Sequence, residues 1–132
     1  MPDFSLKRSS MLKKREDFKA IFKTGKRFRH GPFILSYIAD SQESASLLCG
    51  FVAPKRYLRK AVHRNRTKRL MREVYRKHRQ ELESLTVELD LDLKILLGFN
   101  GSEIPNFTEC EEKISGLIVR LHSAINALRN ED

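Results

Sequence analysis

Between Lys55 and Arg79 the chain carries twelve lysines and arginines and a single acid, Glu73. A run that dense either stays solvated all round or is fixed along one side of a helix whose other side is buried. The apolar spacing decides between them. At about 100° per residue, Leu70, Met71, Val74, Tyr75 and the body of His78 gather on one side. Asn65, Lys68, Arg69, Arg72, Arg76 and Arg79 gather on the other. The stretch is predicted to be an amphipathic helix entered from Tyr57 to Arg59 and continuing past Arg79 until Leu85. Roughly 18 residues of helix span about 27 Å, so the cations form one continuous edge that matches a phosphate backbone.

An ordinary solvated helix face mixes signs at i, i+4 spacing. Here only Glu73 can pair, with Arg69 behind it and Lys77 ahead. Lys68, Arg72 and Arg76 are like charges four apart, which weaken an isolated helix. Packing of the apolar side or a bound polyanion must offset them. Arginine predominates, and its planar fork suits bidentate phosphate recognition better than a point charge does. Nucleic-acid contact is therefore favoured over plain solvation.

The charge distribution of the whole chain points the same way. Residues 1–80 hold 22 basic and 6 acidic side chains, and residues 81–132 hold 4 and 11. The net charge of +9 thus hides a polyanion-facing first part. At 132 residues the chain is one domain by size, with no internal repeat. Cys49 and Cys110 sit in segments of strand and helix character without paired spacing, which suggests reduced structural thiols. The start lacks the apolar run of a signal peptide, no segment approaches a membrane span, and a cytoplasmic location is expected.

Residues 1–11 are expected to be a disordered basic arm, followed by a single RNA-binding domain over 12–132. A first helix is predicted from Arg15 to Lys23, stopped at Gly25, with Phe18, Ile21 and Phe22 on one face. Paired aromatics at that spacing are usually core. Lys26, Arg27, Arg29 and His30 form a basic connector. Phe33 to Ala39 is predicted as a strand, with Phe33, Leu35 and Tyr37 facing one way and Ile34, Ser36 and Ile38 the other. Leu47 to Ala53 is a second strand paired back as a hairpin and ended by Pro54. Leu91 to Leu97 is a third, buried strand. Thr108 and Glu111 have the spacing of a capping box, opening a helix whose Cys110, Ile114, Leu117, Ile118, Leu121, Ile125 and Leu128 form an apolar stripe.

Catalytic groups do not stand out. His30, His63, His78 and His122 are scattered, and neither cysteine has a ligand partner at useful spacing. Asp90 and Asp92, alternating on one strand face, are the best pair for a hard cation, but acids at the solvent edge of a strand are commonplace. Phosphodiester hydrolysis needs a positioned water and usually divalent metals. No catalytic residue is assigned.

The run Lys60-Ala61-Val62-x-Arg64-Asn65-Arg66-x-Lys68-Arg69-x-x-Arg72-Glu73 resembles the signature of the bacterial ribonuclease P protein family. Its members are subunits of the ribonucleoprotein that endonucleolytically removes the 5′ leader from precursor tRNA. The flanks agree in order, from Leu12, Phe18, Phe22 and Gly25 through a strand ending at Lys55 and Arg56 to the last helix, so the resemblance covers Leu12 to Leu128. To the α+β order α-β-β-α-β-α read from the chain, the resemblance adds a two-layer domain with a small mixed sheet and a left-handed βαβ crossover, the ribosomal protein S5 domain 2-like fold.

The resemblance also implies roles. Arg64, Asn65, Arg66, Lys68, Arg69 and Arg72 would dock the catalytic RNA, one protein to one RNA. Phe18, Phe22, Lys55 and Arg56 would hold the precursor tRNA leader. The chemistry would lie with the RNA subunit, which holds the catalytic Mg²⁺, with Asn65 at most next to a hydrated ion. The protein would raise substrate affinity at low Mg²⁺, with no membrane and no small-molecule substrate involved. Two departures stand out: Ser36 occupies a position often aromatic in the family, and Gly98 and Phe99 replace a basic pair, leaving Phe99 as a substitute stacking ring. Rival readings are a general RNA- or DNA-binding module such as a ribosomal protein, an autonomous nuclease and, more distantly, a calmodulin-type target helix.

Overall fold

The computed structural model describes residues 11–41 and 45–129; residues 1–10 of the expected arm lie outside them. In order, the elements are α1 (Arg15–Thr24), β1 (Lys26–His30), β2 (Phe33–Ser41), β3 (Ser46–Val52), α2 (Ala61–Leu89), β4 (Leu91–Phe99) and α3 (Phe107–Arg129). The α+β class with a small mixed sheet holds. One strand more is present than the sequence reading placed. The basic stretch Lys26–His30, expected to be a connector, pairs antiparallel with β2 from Lys26↔Tyr37 to His30↔Phe33. Two features drive it into the sheet. Phe28 alternates with the flanking arginines and stacks on Tyr37 at 5.8 Å. Gly31, at φ 61°, takes the first central position of a two-residue turn, where a left-handed backbone matches the twist of a hairpin.

The strand order is β1-β2-β4-β3. The expected hairpin between β2 and β3 does not form. Instead β4 inserts between them, antiparallel to β2 from Phe33↔Phe99 to Ser41↔Leu91 and parallel to β3 from Ser46↔Asp92 to Val52↔Gly98. β4 is covered on both faces: Leu91, Leu93, Ile95, Leu97 and Phe99 are buried on one, and on the other Leu96 and Gly98 are buried while Asp92 and Lys94 are half-buried, which suits it to the interior of the sheet. The parallel return from β3 to β4 is carried by α2, long enough for a crossover.

One face of the sheet carries the main core. Phe33, Leu35, Tyr37, Leu93, Ile95 and Leu97 pack there against α2 and α3. The stripe foreseen on the last helix is buried from Cys110 to Ile125, while Leu128 is exposed. α3 opens two residues earlier than the anticipated capping box: Asn106 Oδ1 accepts a bond from the Glu109 amide at 2.8 Å. The reason is that Asn106 and Glu109 offer the same spacing two residues ahead of Thr108 and Glu111.

α2 answers whether a polyanion is needed to hold the charged helix. It buries Met71, Val74, Tyr75, Leu82 and Leu85, each worth about 1.5–3 kcal/mol. Like-charge i, i+4 pairs cost only about 0.2–0.5 kcal/mol each. Packing wins by a wide margin. The helix runs 29 residues, to Leu89 rather than Leu85, and ends where Asp90 turns left-handed at φ 52° and its amide bonds Thr86 O. Asp90 is therefore a helix cap and not a strand neighbour of Asp92.

The second face of the sheet is covered only in part. α1 lies across it, burying Ile21 with Leu12 and Leu96. Glu16 and Asp17 in the first turn and Lys23 in the last complement the helix dipole in place of a capping side chain. Gly25 closes α1 with its amide on Ile21 O, in an extended conformation. Met11 bridges Cys49 in parallel, and the Leu12 amide bonds Cys49 O at 3.0 Å, so the chain enters along the outer edge of β3.

Candidate nucleic-acid interface

Where α1 stops, the second face of the sheet lies open. The result is a cleft of about 810 Å³. Its floor is Ile34, Ser36, Val52, Leu96 and Gly98; its walls include Phe22 from α1, Arg56 and Tyr57 from the segment after β3, and Lys68 from α2. Phe22 is 56% exposed although its helix face is otherwise apolar. A ring left in water above an open sheet is available for stacking on an unpaired base. Phe18, one turn earlier, is half-buried: its ring packs on Gly50, where a Cβ would come within 3.1 Å of Cε1. The two aromatics of α1 thus differ in situation, Phe18 seated on the sheet and Phe22 on the cleft wall.

Arg56 lies over the Tyr57 ring at 4.9 Å. Lys55 is exposed but does not line the cleft. Lys68, half-buried, turns into the cleft and stands apart from the other motif cations. Asn65, Arg66, Arg69 and Arg72 are exposed along α2, with Arg72 leaning over the Phe51 ring at 5.5 Å. Arg64 is spoken for locally. Its Nη1 donates to Leu58 O at 3.0 Å and to Arg59 O at 2.7 Å, fixing the turn that leads into α2. Farther along the helix, Arg79 pairs with Glu83 at 3.0 Å, and Lys77 meets Glu111 of α3 at 3.6 Å.

α2 begins without a side-chain cap and without an acid in its first turn. The partial positive charge of a helix start, set among Lys60, Arg64 and Arg66, is electrostatically unfavourable by itself and favourable toward an anion.

Phe99 does not replace the absent basic pair as a stacking ring. It is 2% exposed and packs on Phe33 at 5.1 Å, on the core face. β4 continues two residues beyond Leu97, and its alternation sends Leu97 and Phe99 to the core while Leu96 and Gly98 face the cleft. The sequence reading also overlooked Arg27 and Arg29, which line the cleft from β1. Their alternation about Phe28 was the available signal.

Among the described residues no group of three or more His, Cys, Asp or Glu side chains is placed to hold a metal ion. Asp92 faces an ammonium instead, with Oδ2 3.7 Å from Lys94 Nζ. That arrangement does not fit a hard cation.

Comparison with known proteins places the chain in a family. Residues 6–122 match the family model described as Ribonuclease P. The chain belongs to the ribonuclease P protein family. A ribonuclease P protein component from Porphyromonas gingivalis is 32% identical over 134 residues, spanning 98% of this chain and 97% of that protein. One from Dictyoglomus thermophilum is 27% identical, spanning 97% and 98%. Among solved structures, the Staphylococcus aureus RNase P protein superposes with a TM-score of 0.70 at 19% identity, covering 86% of this chain and 96% of that one. The Thermotoga maritima RNase P protein gives 0.63 at 24% identity, covering 83% and 96%. Those structural likenesses bear on the fold.

Proposed function

We propose that this chain acts as the protein subunit of ribonuclease P, holding the 5′ leader of precursor tRNA in the cleft and docking the catalytic RNA along α2. The holoenzyme is an endoribonuclease of tRNA maturation, and the protein is its accessory subunit. The observation that carries the division of labour is the cleft beside Phe22, Arg56 and Lys68, adjoining the exposed Asn65, Arg66, Arg69 and Arg72.

Phe22 offers a face to an unpaired base irrespective of its identity. Arg56 and Lys68 neutralise the phosphates beside it, and Phe18 backs the wall from its seat on Gly50, with Lys55 adding charge outside. Arg66, Arg69 and Arg72 meet the RNA backbone, joined by the uncapped start of α2, while Arg64 sets that start in place. Catalytic Mg²⁺ belongs with the RNA, where it would supply the activated water and the charge stabilisation for phosphodiester hydrolysis. The Asn65 carboxamide is exposed at the same edge and would touch no more than the hydration shell of such an ion. Bringing two polyanions together is costly at low ionic strength, and a cationic subunit lowers that cost by releasing counterions from both. No helix among the described residues is long and apolar enough to cross a membrane.

The test is leader cleavage from a precursor tRNA at low Mg²⁺ by the protein alone, by bacterial ribonuclease P RNA alone, and by an equimolar mixture. Strong activity in the mixture only is the expected result. Cleavage by the protein alone would mean that it carries its own catalytic site. A mixture no better than the RNA would reduce the chain to a general RNA-binding module.

A further inference from the structure

The strand registers set the cleft floor in rows. Arg29, Ile34, Gly98 and Val52 lie side by side across the four strands, and Arg27, Ser36, Leu96 and Gly50 form the next row. Both arginines line the cleft, at the β1 end of their rows. Three inter-strand spacings, roughly 14 Å, separate that end from β3, beyond which Arg56 and Lys68 stand. Between them the floor carries no charge. Gly98, where the family resemblance leads one to expect a cation, has no side chain at all. The cleft lining as a whole includes Arg27, Arg29, Arg56 and Lys68 and no acid.

The two β1 arginines are anchored for this position. Arg27 Nη2 donates to Phe22 O at 2.8 Å, which ties it to the end of α1 and leaves most of its five donors free. The backbone of Arg29 is braced by Arg120 of α3, whose Nη1 bonds Arg29 O at 3.0 Å and whose guanidinium covers Phe28 at 4.8 Å. Among the described residues the guanidinium of Arg29 has no hydrogen-bond or ion-pair partner. Two exposed arginines at the edge of an apolar floor, with no acid in the cleft lining to compete for them, make a positive rim that favours an anion lying across it.

We propose that Arg27 and Arg29 form a second phosphate-binding rim, which replaces the cation missing from the end of β4 and makes the single strand cross the sheet from the Arg56–Lys68 wall to β1. The inference rests on the cleft being the leader site. A strand bound so is gripped at both ends and passes over small residues, Ser36 and Gly98, that leave room for its bases. The positions that matter for leader binding are thereby moved from β4 to β1.

The experiment measures binding of a leader-bearing precursor tRNA and of mature tRNA to the reconstituted holoenzyme over a range of salt, with Arg29→Gln, Arg29→Lys and the Arg27→Gln/Arg29→Gln pair. Arg29→Gln should weaken precursor binding roughly three- to tenfold, leave mature tRNA unchanged and reduce the salt slope by about 0.7, the value for one phosphate of a single strand. Arg29→Lys should restore most of the slope. The double variant should lose about twice as much slope. Unchanged precursor binding in both glutamine variants, or an equal loss with mature tRNA, would overturn the rim. Equal binding of the two tRNAs by the parent holoenzyme would instead overturn the cleft as leader site, and that is visible before any variant is made. Since Arg27→Gln also releases Phe22 O, the Arg29 variants decide the matter if the double variant is poorly folded.

Discussion

Lys94 Nζ lies 3.0 Å from Asp17 Oδ1 and 3.7 Å from Asp92 Oδ2, joining the central strand of the sheet to α1. The bond is partly shielded, and it fixes the helix that carries Phe22 against the floor of the cleft. Lys94→Met and Asp17→Asn should each loosen α1. A double-mutant cycle in urea unfolding should show a coupling of about 0.5–1 kcal/mol. Both single variants should also narrow the difference between precursor and mature tRNA binding, with catalytic-RNA docking unaffected. Zero coupling would mean that α1 is held by its apolar face alone.

Phe22 and Phe18 should separate stability from binding. Phe22→Ala, at an exposed position, should change unfolding free energy by no more than about 0.5 kcal/mol and reduce affinity for precursor over mature tRNA by about 1–3 kcal/mol. Phe18→Ala should cost stability first, because it empties the space above Gly50. Denaturant unfolding together with tRNA binding checks both, and a destabilised Phe22→Ala would return that ring to the core.

Arg64 should behave as a positioning residue. Replacing it with Ala removes two charge-assisted bonds to Leu58 O and Arg59 O and should destabilise the protein by about 1–3 kcal/mol. Arg69→Ala should leave stability within about 0.5 kcal/mol yet lower the salt slope of catalytic-RNA binding by about one ion. If Arg64→Ala proves as stable as the parent, its hydrogen bonds do not hold the entry to α2.

Alkaline pH should destabilise the fold. Burial pushes the Cys110 thiol from 9.0 up to about 11, and burial raises Cys49 well above its ordinary value too. Tyr37 and Tyr75 are raised by burial, and Lys94 is raised chiefly by its hydrogen bond to Asp17. Each of these groups binds its proton more tightly folded than unfolded, so stability is full below the unfolded values and falls as pH rises through the folded ones. The urea midpoint should start to drop near pH 9, where unfolded cysteines ionise. Both thiols should also resist a thiol reagent until the protein unfolds. A midpoint that stays level through pH 11 would contradict the burial of the thiols.

The amphipathic helix, its apolar stripe, the Phe33–Leu35–Tyr37 face and the buried stripe of α3 were legible because each is a periodic pattern within one segment, and period alone decides which face is buried. The family was legible for a similar reason, since its signature is an ungapped run along a single helix. Strand partners were not. Proximity in sequence favours a hairpin from β2 to β3, whereas the sheet places β4, the strand buried along most of both faces, between them. Phe99 shows the consequence: once β4 ran two residues longer, the two-residue alternation sent its ring to the core and Gly98 to the cleft. The cleft itself depends on α1 stopping short across the sheet, and on β1 forming, so that Phe22, Arg27, Arg29, Arg56 and Lys68, distant in the chain, line one opening. Local sequence determined which residues are charged, aromatic or buried; only the packing of helices on the two faces of one sheet decided which of them meet.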